Sequence, residues 1–202
     1  MFNKLFQSNK QTNPFEDFLK KHGTNPEVEL IDGALVERMP PHMEAEKLRV
    51  WLQWLLADYL KAIEGGILID STIPIAITTR RARRASLAYI NSENVGILRN
   101  NAAYGVPDLV IDILSPHALA SDLSVREGDY RTIEVPEIIF LDPVRHTARV
   151  LRRRGREYEE ERLIETATLQ LAMLDSIAIP MSALMREPRP PVNEMLNKLL
   201  NG

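Results

Sequence analysis

Cysteine is absent from the 202 residues. That excludes disulfides and thiolate metal sites and fits a reducing compartment. No apolar run approaches the roughly 18 residues that a membrane span needs. The opening residues, MFNKLFQSNKQTN, carry no apolar core of a secretory signal. The expectation is a cytoplasmic protein with no membrane partner. An excess of one charge is missing too: 25 Lys and Arg against 28 Asp and Glu give a net charge of −3. This argues against generic, charge-driven nucleic-acid binding but leaves room for a local basic face. No P-loop glycine pattern, H-E-x-x-H or G-x-S-x-G occurs, and there is no internal repeat.

What remains is enough for one domain. The length and a hydrophobic content of 45% suffice to fill a core. Residues 1–13 read as a polar tail, 14–187 as the domain, and 188–202 as a proline-rich linker with a peripheral helix. Asn13-Pro14 opens a short helix, with Asn13 as N-cap and Pro14 at the first helical position. Asp32-Gly33 between two apolar runs signals a hairpin spanning Val28 to Met39. Leu48, Trp51, Leu52, Leu55, Leu56 and Tyr59 recur at the helical period and mark a core helix. Ile67 to Thr79 and Ser86 to Ile90 read as strands, and Asn91 to Tyr104 as loop. An apolar strand follows between Val106 and Pro116, then a helix over Ser121 to Thr132. Ile138 to Leu141 is short and wholly apolar, as in a strand buried on both faces. A hairpin turns around Gly155, and Pro180 to Met185 forms a closing helix. The expected class is α/β, a mixed central sheet with flanking helices.

Two carboxylates interrupt the strand after Val106. Asp108 and Asp112 are four residues apart, so strand alternation directs both to one face. A buried carboxylate is costly unless it is paired or bound to a cation. One reading is therefore an oxygen-ligand site for Mg²⁺ or Mn²⁺ at the strand end. The other is that Asp108 caps a turn after Pro107 while Asp112 pairs with an arginine. In the following helix, Asp122, Arg126 and Tyr130 share a face at i, i+4 and i+8. Arg126 could reach over the strand to stabilise charge on a phosphate, or simply pair with Asp122. His117 is a weaker candidate near the strand end; His22, His42 and His146 read as surface residues.

Arginine is concentrated in two places. Arg80, Arg81, Arg83 and Arg84 could track a phosphate backbone, or form a solvated tip that protects an edge strand. Arg152-Arg153-Arg154-Gly155-Arg156 is followed at once by Glu157 and Glu159 to Glu161 and reads as a charge-balanced hairpin.

The strings ELIDGALVERMP, GVPDLVIDILSP and VPEIIFLDP, with the D-x-x-x-R-x-x-x-Y helix before the last, occur in order. Together they resemble the restriction endonuclease family often called Uma-two, a branch of the PD-(D/E)XK nucleases, from about Pro14 to about Met185. The resemblance implies a restriction-endonuclease-like fold and a metal-dependent nuclease acting on DNA phosphodiesters. Its implied metal and catalytic set is an aspartate, a glutamate and a lysine. The aspartate falls here on Ser86, the glutamate on Asp112 and the lysine on Arg126. A helix-opening histidine falls near Ala45. Glu29, Asp108, Asp122, Tyr130 and Asp142 keep the family's residue type.

From this follow the expected roles. Asp108, Asp112 and Arg126 are the catalytic candidates. Asp112, Asp108 and Glu29 are the metal-ligand candidates. Ser86 marks a vestigial position, where an anionic ligand is lost. Arginine at 126 keeps the charge but excludes any role that needs a neutral amine. Two functions stand side by side: a Mg²⁺- or Mn²⁺-dependent endonuclease, and a non-catalytic nuclease-fold protein that binds nucleic acid or protein. DNA is the expected partner, and a homo-oligomer stays open.

Overall fold

The computed structural model describes residues 13–116 and 119–201. His117 and most of the N-terminal polar segment lie outside the described residues. Asn13 accepts the Phe15 N–H and starts α1 (Pro14–His22), with Glu16 and Asp17 in its first turn and Lys20, Lys21 and His22 in its last. Both ends complement the helix dipole. A hairpin follows, β1 (Val28–Ile31) and β2 (Ala34–Glu37). Asp32 and Gly33 both have positive φ, 53° and 86°, as a two-residue primed turn requires. The long helix α2 (Met43–Ala62) buries Leu48, Leu52, Leu55 and Leu56 completely. Gly66 closes its exit, because a Cβ there would meet the Ile90 carbonyl oxygen at 1.9 Å.

The expected strand from Ile67 to Thr79 divides into β3 (Ile67–Asp70) and β4 (Ile75–Thr78), which join different sheets. Asp70 accepts from both the N–H and the hydroxyl of Thr72, so the chain turns before Pro74. β5 (Arg81–Arg83) and β6 (Leu87–Ile90) come next. The expected loop from Asn91 to Tyr104 is ordered instead. It holds a 3₁₀ turn (Ser92–Ile97) capped by Asn91, then a tight hairpin of β7 (Leu98–Arg99) and β8 (Ala102–Ala103). Asn100 and Asn101 sit at φ 50° and 57°, the left-handed region that asparagine tolerates.

β9 (Leu109–Ile113) leads through α3 (Ala120–Thr132) to β10 (Glu137–Asp142), which pairs parallel to β9. A long hairpin follows, β11 (Thr147–Arg154) and β12 (Glu157–Ile164), then a short one, β13 (Thr168–Leu171) and β14 (Ile177–Pro180). The helices α4 (Met181–Met185) and α5 (Val192–Asn201) end the described chain. α5 buries Met195 and packs on α2. The Trp51 indole donates to the Pro190 carbonyl at 2.8 Å and fastens the proline segment there.

The central sheet runs β12-β11-β10-β9-β6-β3, with β9 and β10 parallel and the other pairs antiparallel. Strand alternation sorts its two faces. Leu87, Tyr89, Leu109, Ile111, Ile139 and Leu141 pack against α2. Ala88, Ile90, Val110, Ile138 and Phe140 face Tyr130 of α3 and Ile75 and Ile77 of β4. A second sheet, β2-β1-β5-β4-β8-β7, lies on that side. The fold is α/β with mixed sheets and flanking helices.

Arg84 corrects the expectation of a solvated or phosphate-tracking arginine turn. It is 0% exposed. Its guanidinium donates to the carbonyls of Val28, Ser71, Thr72, His22 and Gly23 at 2.8–3.0 Å and stacks near the Phe18 ring. Burial pulls its pKa down to about 10, yet it stays cationic at neutral pH. It draws together the end of α1, β1 and the turn before β4. Arg84→Ala should lower stability by at least about 3 kcal/mol, because several buried carbonyls lose their donor at once. Arg84→Lys should recover only part of the loss, since an ammonium has three donors and no planar fork. Urea unfolding of the two variants is the measurement, and equal stability of Arg84→Lys and wild type would contradict this account.

Candidate active site

Asp112 lies at the C-terminal half of β9, on the face that Val110 shares, so it points toward α3 and the second sheet. Three elements converge there. β1 brings Glu29, α3 brings Arg126, Asp129 and Tyr130, and the end of β5 with the segment leading to β6 brings Arg83, Arg84 and Ser86.

Glu29 is 3% exposed and takes donors from every side. Its Oε1 accepts the Arg84 N–H at 2.8 Å and Arg126 Nη2 at 3.1 Å. Its Oε2 accepts Arg83 Nη1 at 2.9 Å and Arg126 Nη2 at 3.0 Å. Arg38 stands 3.8 Å away. An ionised carboxylate offers about four lone-pair sites, so Glu29 has none to spare. Burial opposes its ionisation, but Arg126, Arg83, the Arg84 N–H and Arg38 more than offset this and hold its carboxyl below the usual range.

Asp112 is nearly as enclosed. Its Oδ1 accepts the Ser86 N–H at 2.9 Å and its Oδ2 accepts the Tyr130 hydroxyl at 2.9 Å. Arg126 Nη1 lies 3.5 Å from the same Oδ2 and 3.2 Å from the Arg84 carbonyl, to which it donates. Burial raises the Tyr130 pKa, and the neighbouring Asp112 raises it further, so the phenol stays a neutral donor. Burial works against the Arg126 charge, but Asp112 and Glu29, with the hydrogen bond to Tyr130, outweigh it and raise its pKa well above the ordinary value. The Ser86 hydroxyl accepts the Ile113 N–H at 3.0 Å, a strand-end cap.

Of the residues expected at a site, Glu29, Ser86, Asp112 and Arg126 thus meet. Asp108 does not. It precedes β9, on the order of 13 Å along the strand from Asp112 at about 3.3 Å per residue. There its Oδ2 accepts the Asn91 N–H and the Asn94 amide and braces the 3₁₀ turn. Asp122 makes no ion pair with Arg126, whose partners lie across the fold. Asp142 caps Val144 and Arg145 beyond β10, and Ala45 is packed inside α2. Arg83 is buried between Glu29 and Asp129, and Arg81 joins Asp129 to Asp32. Arg80 is exposed and donates to the Asp32 carbonyl. Asp129 and Arg83 belong to the site although neither was singled out for it. Their only sequence signal is placement: Asp129 sits one turn beyond Arg126, on the same side of α3.

This donor set does not fit a divalent cation. Mg²⁺ needs ionised oxygens free to coordinate and keeps several waters. Here Glu29 is saturated by nitrogen donors, Asp112 already accepts two, and a serine holds position 86. Among the described residues no group of three or more His, Cys, Asp or Glu side chains is placed to hold a metal.

The same architecture occurs in the crystal structure of a putative nuclease belonging to DUF820 from Anabaena variabilis. That structure aligns over 84% of this chain and 96% of its own, with a TM-score of 0.71 and 16% identity. At that identity the likeness shows the fold alone, α/β with mixed sheets and helices. Residues 15–182 match the family model Uma2, described as "Putative restriction endonuclease", and the chain belongs to that family. No curated protein matches the sequence. Among the described residues no helix is long and apolar enough to cross a membrane.

Glu29→Gln should cost about 3–5 kcal/mol at pH 7, because Arg83 and Arg126 are left buried without their shared anion. The acid limb should change as well. A carboxyl depressed in the fold contributes stability above its unfolded pKa of about 4.3 and loses it as pH falls through the folded value. Stability of Glu29→Gln should therefore fall less steeply than wild type below about pH 4.5. Denaturant melts from pH 7 to pH 3 measure both effects, and parallel acid limbs would count against the network.

Proposed function

We propose that this chain is a non-hydrolysing member of its nuclease family, a nuclease-fold protein that keeps the scaffold for binding nucleic acid. One observation carries the reading: the two carboxylates that meet, Glu29 and Asp112, already take their charge and hydrogen bonds from the protein's own arginines, tyrosine and backbone. Hydrolysis of a phosphodiester by this family's implied chemistry needs a cation that binds and activates water. Arg126 stays protonated throughout and cannot act as a base. Nucleic acid is the ligand class that family membership suggests. Arg80 is the exposed member of the arginine run and the one free to meet a phosphate.

The second reading is a working Mg²⁺- or Mn²⁺-dependent DNA endonuclease, with Asp112, Glu29 and Asp108 as metal ligands and Arg126 facing the phosphate. Family membership favours it. The distance of Asp108 and the saturation of Glu29 weigh against it.

Plasmid nicking with Mg²⁺ or Mn²⁺ separates the two. The expected outcome is no nicking above background for wild type and none for Asp112→Ala. Robust wild-type nicking that Asp112→Ala abolishes would establish the second reading. Arg80→Ser should weaken binding to duplex DNA and lower its salt slope by about 1 without altering the melt. An unchanged slope would remove Arg80 from the interface.

A further inference from the structure

α2 is apolar on two sides. Its inner stripe, Leu48, Leu52, Leu55 and Leu56, is used against the central sheet. On its outer side Met43, Lys47, Val50, Trp54, Ala57 and Lys61 follow one another at alternating steps of four and three residues, the spacing of a seam between two packed helices. Trp54 is 63% exposed and Met43 68%. Large apolar side chains gathered in this way mark an interaction surface. Beside the stripe runs a groove of about 820 Å³, walled by Lys47, Val50 and Trp51 on one side and by Pro188, Pro190 and Pro191 on the other, with Trp54 against it. The groove is preformed. The Trp51 indole donates to the Pro190 carbonyl at 2.8 Å, and Arg189 Nε donates to the Leu184 carbonyl at 2.9 Å.

The stripe is complementary to itself. Laid antiparallel on a copy, Val50 faces Trp54 of that copy, so each Trp54 reaches the groove of the other. Lys47 then faces Ala57 with its neighbour Asp58, and Lys61 faces Met43 with its neighbour Glu44. Both charged contacts join opposite signs, in exchange for the exposed Lys47–Glu44 pair within one helix. The charges bordering the groove are already paired, Glu46 with Arg49 and Glu187 with Arg189. A surface so balanced offers no positive field to a phosphate backbone. A stable interface buries roughly 800 Å² on each partner, which a bare helix stripe about 10 Å wide does not reach. The proline wall supplies the remaining surface.

We propose that this face binds a second copy of the chain, as an isologous dimer in which two α2 helices pack antiparallel and the Trp54 side chains exchange grooves. Such a contact repeats each pairing about a two-fold axis and places a tryptophan anchor near its centre. The inference does not depend on the proposed function. α2 covers the face of the central sheet opposite Asp112 and the second sheet, so pairing there leaves Arg80 uncovered.

Sedimentation equilibrium of the full chain, from about 1 to 100 μM, reads the association. Wild type should be a dimer in that range. Trp54→Glu should raise the dissociation constant at least about thirtyfold and leave the circular dichroism spectrum unchanged, because the side chain lies outside the core of one copy. Lys47→Glu should weaken the dimer several-fold, and adding Asp58→Lys should restore it, since the pair re-forms with its signs exchanged. A monomeric wild type overturns the inference. If single-stranded DNA quenches the tryptophan fluorescence of that monomer, the stripe serves nucleic acid instead. A wild-type dimer that Trp54→Glu leaves intact pairs through another face and overturns it equally. A double variant no tighter than Lys47→Glu overturns the antiparallel pairing.

Discussion

The buried charge of Glu29 is the constraint around which the rest is arranged. A carboxylate in a low-dielectric interior is tolerated only when donors surround it. The donors come from β5, α3 and the backbone before β6, so satisfying one anion fixes the positions of three elements. β1 belongs to the second sheet and Asp112 to the central one. Arg126 spans both, and the polar contact between the sheets is held by charge where the apolar contact around Val110 and Tyr130 is held by packing. The two kinds of contact share Tyr130, whose ring lies in the core and whose hydroxyl reaches Asp112.

Such a network gives specificity more readily than stability. Buried ion pairs roughly break even against apolar residues of the same shape, but losing one member strands the others. In this chain five side chains, Glu29, Arg83, Asp112, Arg126 and Asp129, depend on one another in that way. The arrangement resists gradual change at any single position. It also explains how a serine can stand at position 86 without disturbing the fold. The Ser86 backbone N–H still serves Asp112, and its hydroxyl caps β9.

Local signals in the sequence were legible where local physics decides. Asn13-Pro14, Asp32-Gly33 and the leucine period of α2 each specify their element through capping, turn geometry or amphipathicity. Of the alternatives left open for the strand carboxylates, Asp112 does pair with an arginine, whereas Asp108 braces the distant 3₁₀ turn after Asn91 rather than a turn after Pro107. What was not legible depends on distant partners. The Ile67–Thr79 run is one apolar stretch, yet its halves serve two sheets, because the Asp70–Thr72 turn outweighs strand propensity. The Asn100-Asn101 turn was hidden in a polar stretch. The burial of Arg84 at the end of the arginine run was hidden for the same reason. Burial of Arg84 depends on five carbonyls from residues 22 to 72 arriving around it, and composition carries no trace of that convergence. The meeting of Glu29 with Asp112 and Arg126 came from the family resemblance rather than from spacing.

The carbonyl fan around Arg84 has a consequence for how the molecule opens. Helices and turns near a chain end ordinarily fray independently, each with its own small opening free energy. Here the last turn of α1, the start of β1 and the Ser71–Thr72 turn share one donor. None can leave without stranding a buried guanidinium whose five hydrogen-bond partners are all backbone carbonyls. These segments should therefore exchange their amide hydrogens as a single cooperative unit, and α1 belongs kinetically to the sheet rather than to the terminus that precedes it.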